Sequence, residues 1–156
     1  MVVREYRESD VSRIARLYYN TIHTINARDY TPEQIEAWAP ASLTDEFWSE
    51  RLAKKYMVFV AEFEDLTTGF AEFEEDGHID CFYVHHDWQR RGVGTQMMFR
   101  IEQEADELEL DRLYLEASIT GRPFFESVGF TVTKTEEREH NGVIFPMADM
   151  ERLLER

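Results

Sequence analysis

The sequence predicts an α/β fold in which a mixed, mostly antiparallel central sheet is flanked by helices. Three observations carry this expectation. Apolar residues recur at spacings of three and four from Val11 to Ile25 and again from Val93 to Ala105, the period of a one-faced helix. From Tyr56 to His85 the period changes to two, the mark of strands. Asn141-Gly142 then separates two more alternating runs, the strongest short hairpin signal a sequence carries.

In chain order, Val2 to Arg7 alternates as a half-buried strand does, and Ser9 or Asp10 stands where a helix N-cap is expected. The helix that follows carries Val11, Ile14, Tyr18, Ile22 and Ile25 on one stripe, and Asn26 to Tyr30 breaks it. Thr31-Pro32-Glu33-Gln34 combines an N-cap, a first-turn proline and a capping-box glutamine. The short helix it opens turns Ile35 and Trp38 inward and stops before Pro40. Thr44-Asp45-Glu46 opens a third helix, with Phe47, Trp48 and Leu52. Tyr56–Glu64, Thr68–Glu74 and His78–His85 read as three strands joined by two tight turns. After a loop, a long helix begins at Gly92. Arg112–Ala117 is strand-like, Pro123–Val128 is a short helix closed by Gly129, and Phe130–Arg138 and Val143–Met150 form the last hairpin.

No repeat or linker interrupts residues 1–156, so one domain is expected. The content of 43% hydrophobic residues, with Phe 11, Tyr 7 and Trp 3, suffices for a core and argues against disorder. Apolar runs fall far short of the roughly 20 residues a membrane span needs, and Met1 to Arg7 holds no secretory h-region. A single cysteine, Cys81, cannot form an internal disulfide, so a cytoplasmic setting is the default expectation. The formal net charge of −15 argues against nucleic acid as a partner and is compatible with a cationic amine.

The chemically informative stretch runs from Cys81 to Thr95. A strand leads through Gln89-Arg90-Arg91 to Gly92-Val93-Gly94-Thr95 at a helix start. Free amides at a helix N-terminus attract anions, the two glycines lack the side chains that would hold a phosphate off, and two arginines add positive charge to an acidic chain. A pyrophosphate cradle is the inference; an ordinary glycine turn with solvated arginines is the alternative. No lysine follows as in a Walker A loop, and Met97 stands where a dinucleotide fingerprint needs its third glycine, so ATP and NAD are disfavoured.

Gln89-Arg90-Arg91-Gly92-Val93-Gly94 resembles the Gln/Arg-x-x-Gly-x-Gly/Ala motif of the GCN5-related N-acetyltransferase (GNAT) superfamily. Pro123-Phe124-Phe125-Glu126-Ser127-Val128-Gly129-Phe130 resembles that family's later aromatic-Glu-x-x-Gly-Phe signature, and the element order is also similar. Thr21-Ile22-His23, Ala27-Arg28-Asp29-Tyr30 and Ala37-Trp38 further resemble a bacterial subgroup, the YafP-like acetyltransferases. The resemblance implies a GNAT-type sheet splayed between its fourth and fifth strands and acetyl-CoA as co-substrate. The pyrophosphate would lie on the amides of Gln89, Arg90, Arg91, Gly92, Val93, Gly94 and Thr95. The pantetheine would lie along Phe82, Tyr83 and Val84, with a backbone N–H near Val84 polarising the thioester. The implied reaction is acetyl transfer to an amine of a small molecule or peptide; a non-catalytic acyl-CoA-binding module is the alternative. Dimers are common among such folds, which makes a homodimer the implied self-association.

For the base, His78 and Asp80 lie two apart on one strand face; the pair either serves catalysis or is a plain polar pair at a strand start. His23 is a second candidate at the substrate lip, where Tyr30 and Trp38 are expected to wall the acceptor. For the acid, the family's usual tyrosine falls on Phe125, which has no proton to give, and its frequent asparagine falls on Ser118. Water, Tyr83 or Ser118 is left to protonate the thiolate. Histidines and carboxylates do not cluster in sequence at metal-ligand spacing, so no metal is expected.

Overall fold

The computed structural model describes residues 1–155. Strands β1 (Val2–Glu5), β2 (Met57–Phe63), β3 (Leu66–Phe73) and β4 (Ile79–Val84) form one antiparallel sheet in that order. Strands β5 (Arg112–Ala117), β6 (Thr131–His140) and β7 (Val143–Leu153) form a second in the order β5-β7-β6. Helices α1 (Val11–Thr24), α2 (Pro32–Trp38), α3 (Asp45–Ala53), α4 (Val93–Glu107) and α5 (Arg122–Ser127) complete the fold.

Helices cover both faces of the first sheet, and this accounts for the long apolar runs of β2 and β3. Val58, Val60 and Phe70 turn to α1 and α3, where Ile14, Leu17, Trp48 and Leu52 bury them. Phe59, Ala61, Ala71 and Phe73 turn the other way, onto Val93, Met97, Met98 and Ile101 of α4. The same face of α4 also packs on Leu113, Leu115 and Met150 of the second sheet. One helix thus holds both sheets together beneath a gap.

The gap lies between β4 and β5. A single parallel bridge, His78 to Tyr114, joins them, with the Tyr114 amide donating to the Gly77 carbonyl at 3.1 Å. Beyond it the two edges separate. Between the pairs Phe73–Ile79 and Ala71–Phe82, β3 advances two residues and β4 three. Asp80 and Cys81 therefore both oppose Glu72, a bulge that bends a strand and raises its twist. The expected GNAT-type splay between the fourth and fifth strands is this wedge.

The start of α1 differs from expectation. Neither Ser9 nor Asp10 caps it; residues Glu8–Asp10 form a turn of 3-10 helix instead. The Asp10 carboxylate is drawn away by both terminal nitrogens of Arg4, at 2.8 and 2.9 Å, and by the Arg7 amide at 2.8 Å. At α2 the expected capping box forms, Thr31 and Gln34 bonding reciprocally at 2.9 and 3.1 Å.

Candidate functional site

Alternation along β4 decides which edge is open. The His85 amide donates to the Thr68 carbonyl of β3 at 2.8 Å, so the backbone groups of Val84, one residue earlier, face away from β3 and into the wedge. The Val84 carbonyl there accepts from Thr21 Oγ1 at 3.0 Å and from Gln89 Nε2 at 2.8 Å. Gln89 thus folds the loop back onto the end of β4.

The loop then turns through Arg90 (φ 58°) and Gly92 (φ 84°). Left-handed residues in such a turn swing successive N–H groups to one side, a nest for an anion. Helix α4 begins at Val93 with no side-chain cap, and its first amide bonded within the helix is Gln96, donating to the Gly92 carbonyl at 3.0 Å. The amides of Val93, Gly94 and Thr95 are therefore the orphan donors of a helix start. Arg90 and Arg91 are exposed here, and the Arg91 guanidinium lies 3.9 Å from the centroid of the Trp88 ring, which rests on Phe63.

The two glycines do different work. A Cβ on Gly92 would meet nothing within 4 Å, whereas one on Gly94 would come 2.9 Å from the Phe124 ring. The sequence reading gave both the same purpose. Gly92 alone leaves open space at the nest; Gly94 admits the ring of α5 against α4.

Across the wedge, the bridge at His78–Tyr114 sets the level. Counting four residues along each strand brings Phe82 and Tyr83 level with Ser118 and Ile119, to within the one residue the bulge absorbs. Ser118 Oγ accepts from the Gly121 amide at 3.0 Å and so caps the turn into α5. The Ile119 amide donates to the Tyr30 hydroxyl at 2.7 Å. Phe125 is buried and packs edge-on against Phe82, closing the wedge from the α4 side.

On the opposite side, the segment from Asp29 to Ala37 is strapped to the second sheet and the loop after β5. Besides Tyr30, Asp29 accepts from Thr120 at 2.7 Å, Gln34 donates to the Ile144 carbonyl at 3.0 Å, and Asn141 donates to the Ala37 carbonyl at 2.9 Å. Tyr30, Trp38 and Phe145 form an aromatic cluster with centroids 5.2 to 6.1 Å apart. His23 stacks on Tyr19, and its Nε2 lies 2.7 Å from the Ala39 carbonyl. A carbonyl only accepts, so Nε2–H donates to it, and in the neutral ring Nδ1 is the nitrogen left with a lone pair. Tyr83 turns toward α1, between Phe70 and Tyr18, and burial pushes its phenol well above the ordinary value.

His78 and Asp80 do share one face, together with Glu72, but each is engaged. His78 Nε2 lies 2.8 Å from Glu116 and Nδ1 lies 3.2 Å from Glu74. The Glu116 carboxylate, against burial and helped by Glu74, pushes the imidazole up to about 9. An imidazolium with both N–H groups on carboxylates has no lone pair for an ammonium proton, so this geometry differs from the base role expected of it. Burial disfavours the charge of Asp80, yet Lys55 and Arg51 hold its carboxyl below the usual range. Arg51 also grips the fully buried Glu72 at 2.9 and 2.6 Å. The sequence reading assigned no role to Arg51, Lys55, Glu72 or Thr21, because their partners lie 17 to 63 residues away and no local pattern marks the pairings.

Two groups gather potential metal ligands among the described residues. In His85-His86-Asp87 the imidazoles stack face to face, 4.4 Å apart and 16° from parallel, so their lone pairs do not converge on one point. In Glu72-Asp80-Cys81, Arg51 and Lys55 already neutralise the carboxylates, and burial holds the thiol protonated, well above its ordinary value.

Among known proteins, a family model described as an acetyltransferase (GNAT) domain matches residues 26–153. The chain is 32% identical over 143 residues to the uncharacterized N-acetyltransferase YafP of Escherichia coli (strain K12), covering 92% of this chain and 89% of that one. A crystal structure of a GCN5-related N-acetyltransferase from Rhodopseudomonas palustris superposes with a TM-score of 0.92 at 29% identity, covering 98% of this chain and 95% of that one. The PaiA N-acetyltransferase of Thermoplasma acidophilum, solved in complex with coenzyme A, shares the fold at a TM-score of 0.80 and 15% identity, over 98% of each chain. Domain match, relative and wedge agree: the chain belongs to the GCN5-related N-acetyltransferase superfamily.

Proposed function

We propose that this protein, taken as one domain over residues 1–156, moves an acetyl group from acetyl-CoA to the amine of a small molecule or peptide by direct attack on the thioester. The observation that carries the reading is the continuity of one stretch, Val84 to Thr95. An open strand edge there leads through a nest of amides into an uncapped helix start. These residues fit a diphosphate: Gly92 leaves open space, the helix dipole favours negative charge, and Arg90 and Arg91 flank the nest. The backbone edge of Phe82 to Val84 offers strand-like pairing to the pantetheine, with an N–H to polarise the carbonyl. Acetyl-CoA supplies the activated thioester.

The amine approaches from the α1/α2 side, past Tyr30 and Trp38. His23 Nδ1, the acceptor nitrogen of the neutral ring, is the lone pair best supported to take the ammonium proton, directly or through water. His78 and Asp80 fasten the closed end of the wedge.

A second reading is acyl-CoA binding without turnover. It is favoured by the ion pairing of His78 and Asp80 and by the proton-free ring of Phe125. Calorimetry with acetyl-CoA and thiol release with a panel of primary amines separate the two. Binding with release in the presence of at least one amine supports transfer. Tight binding with no release from any amine supports the second reading, and no binding overturns both.

A further inference from the structure

A thiolate leaving in this wedge needs a proton, and few groups there hold one. At the level of Phe82 and Tyr83 the facing wall is Ser118 and Ile119. The Phe125 ring carries no acidic proton, the Ser118 hydroxyl, which accepts from the Gly121 amide, keeps its own proton but is a far weaker acid than a phenol, and Tyr83 is turned away toward Tyr18 and Phe70. The phenol left facing this wall is that of Tyr30, which arrives from the loop before α2, 89 positions away in sequence, and sits there with its oxygen 2.7 Å from the Ile119 amide. The oxygen accepts from the Ile119 amide and also shares a hydrogen bond with Ser118 that favours the phenolate, so the phenolic proton points away from both. The Trp38 and Phe145 rings fix the plane of the phenol.

We propose that Tyr30 is the proton donor to the departing sulfur. The inference rests on the acetyl-transfer reading above. Tyr30 gives its phenolic proton to sulfur as the C–S bond breaks and the C–N bond to the amine forms. The proton lost by the amine passes by way of His23 to solvent, from which the phenolate recovers its own; Tyr30 is only partly buried, so water reaches it. Burial raises the phenol above its ordinary value, while the Ile119 amide and Ser118 pull it back. The group therefore stays protonated through neutral pH. Asp29, on the adjoining backbone, is the nearby charge that favours the protonated form.

The test is Tyr30→Phe, which keeps the ring and its packing, with an unchanged melting temperature as the check of fold. Affinities for CoA and for desulfo-CoA are measured by calorimetry at pH 9, where part of the thiol is ionised. A donor to sulfur makes wild-type protein prefer CoA. In the variant that preference vanishes, affinity for desulfo-CoA is unchanged, and kcat with an active amine falls about a hundredfold. If both ligands weaken alike, or neither does, Tyr30 only braces the Ile119 loop and the proposal is overturned while the acetyl-transfer reading stands. If wild-type protein binds acetyl-CoA yet releases thiol with no amine, the acetyl-transfer reading fails and proton donation fails with it.

Discussion

A Cβ on Gly94 would stand 2.9 Å from the ring of Phe124, whereas one on Gly92, two residues earlier, would touch nothing. The ring is held in turn by Phe82 and Phe125, at centroid distances of 5.4 Å, so it cannot yield without disturbing the wedge.

The two glycines should therefore fail differently. Gly94→Ala overpacks α4 against α5 and should cost about 1–3 kcal/mol. Gly92→Ala meets only the strain of its left-handed backbone, about 1 kcal/mol. Gly92→Asp should fold as well as Gly92→Ala but lose acetyl-CoA affinity through repulsion. Melting temperature and calorimetric affinity, measured on all three, check the split. Unchanged affinity in Gly92→Asp would remove the nest from the binding site.

The His78 clamp makes stability depend on pH. Its folded value of about 9 lies above the ordinary 6.5, so the folded state binds the proton more tightly. That contribution is complete below about 6.5 and is lost as pH rises through 9. After screening, it should be on the order of 2 kcal/mol. Denaturant midpoints from pH 6 to 10 should decline in wild-type protein and lose most of that slope in His78→Gln. An equal slope in the two proteins would show that the pair with Glu116 contributes nothing.

Beneath the bulge, Arg51 neutralises a Glu72 carboxylate that is 0% exposed. Arg51→Ala leaves that charge with only Lys55, 3.7 Å away, and should cost about 3–5 kcal/mol. The double replacement Arg51→Met with Glu72→Met should recover most of the loss, since an apolar pair of similar volume carries no desolvation penalty. Urea unfolding of the single and double variants measures both. A double variant no more stable than the single one would mean the pair does more than cancel charge.

The fold was legible where the signal is local. The periods of α1 and α4, the Thr31 box and the Asn141-Gly142 turn each lie within a few residues, and the strands followed from them. The bulge was not legible, because Cys81 to Val84 is a continuous apolar run in which a slip of one residue leaves no trace, and the extra residue shows only against the register of β3. At the site, the Gln-Arg-Arg-Gly-Val-Gly stretch marked the nest. It could not tell room for a ligand at Gly92 from room for a ring at Gly94, since both read as missing side chains. The engagement of His78, Asp80 and Tyr30 lay beyond reach for the same reason as the Arg51 network: Glu116, Lys55 and Ile119 meet them only after the sheets assemble.

The gap between the sheets is pinned at both ends, by the imidazolium at the bridge and by the ties from Asp29 to Ala37 over its mouth. Its width is thereby set before anything enters, and a guest finds a rigid slot with little of the chain left to freeze. Association should then register mainly as heat from contacts made, with a small entropic loss on the protein side. Cutting a tie, as in Asn141→Ala, would return that loss to the host without removing any contact to the guest.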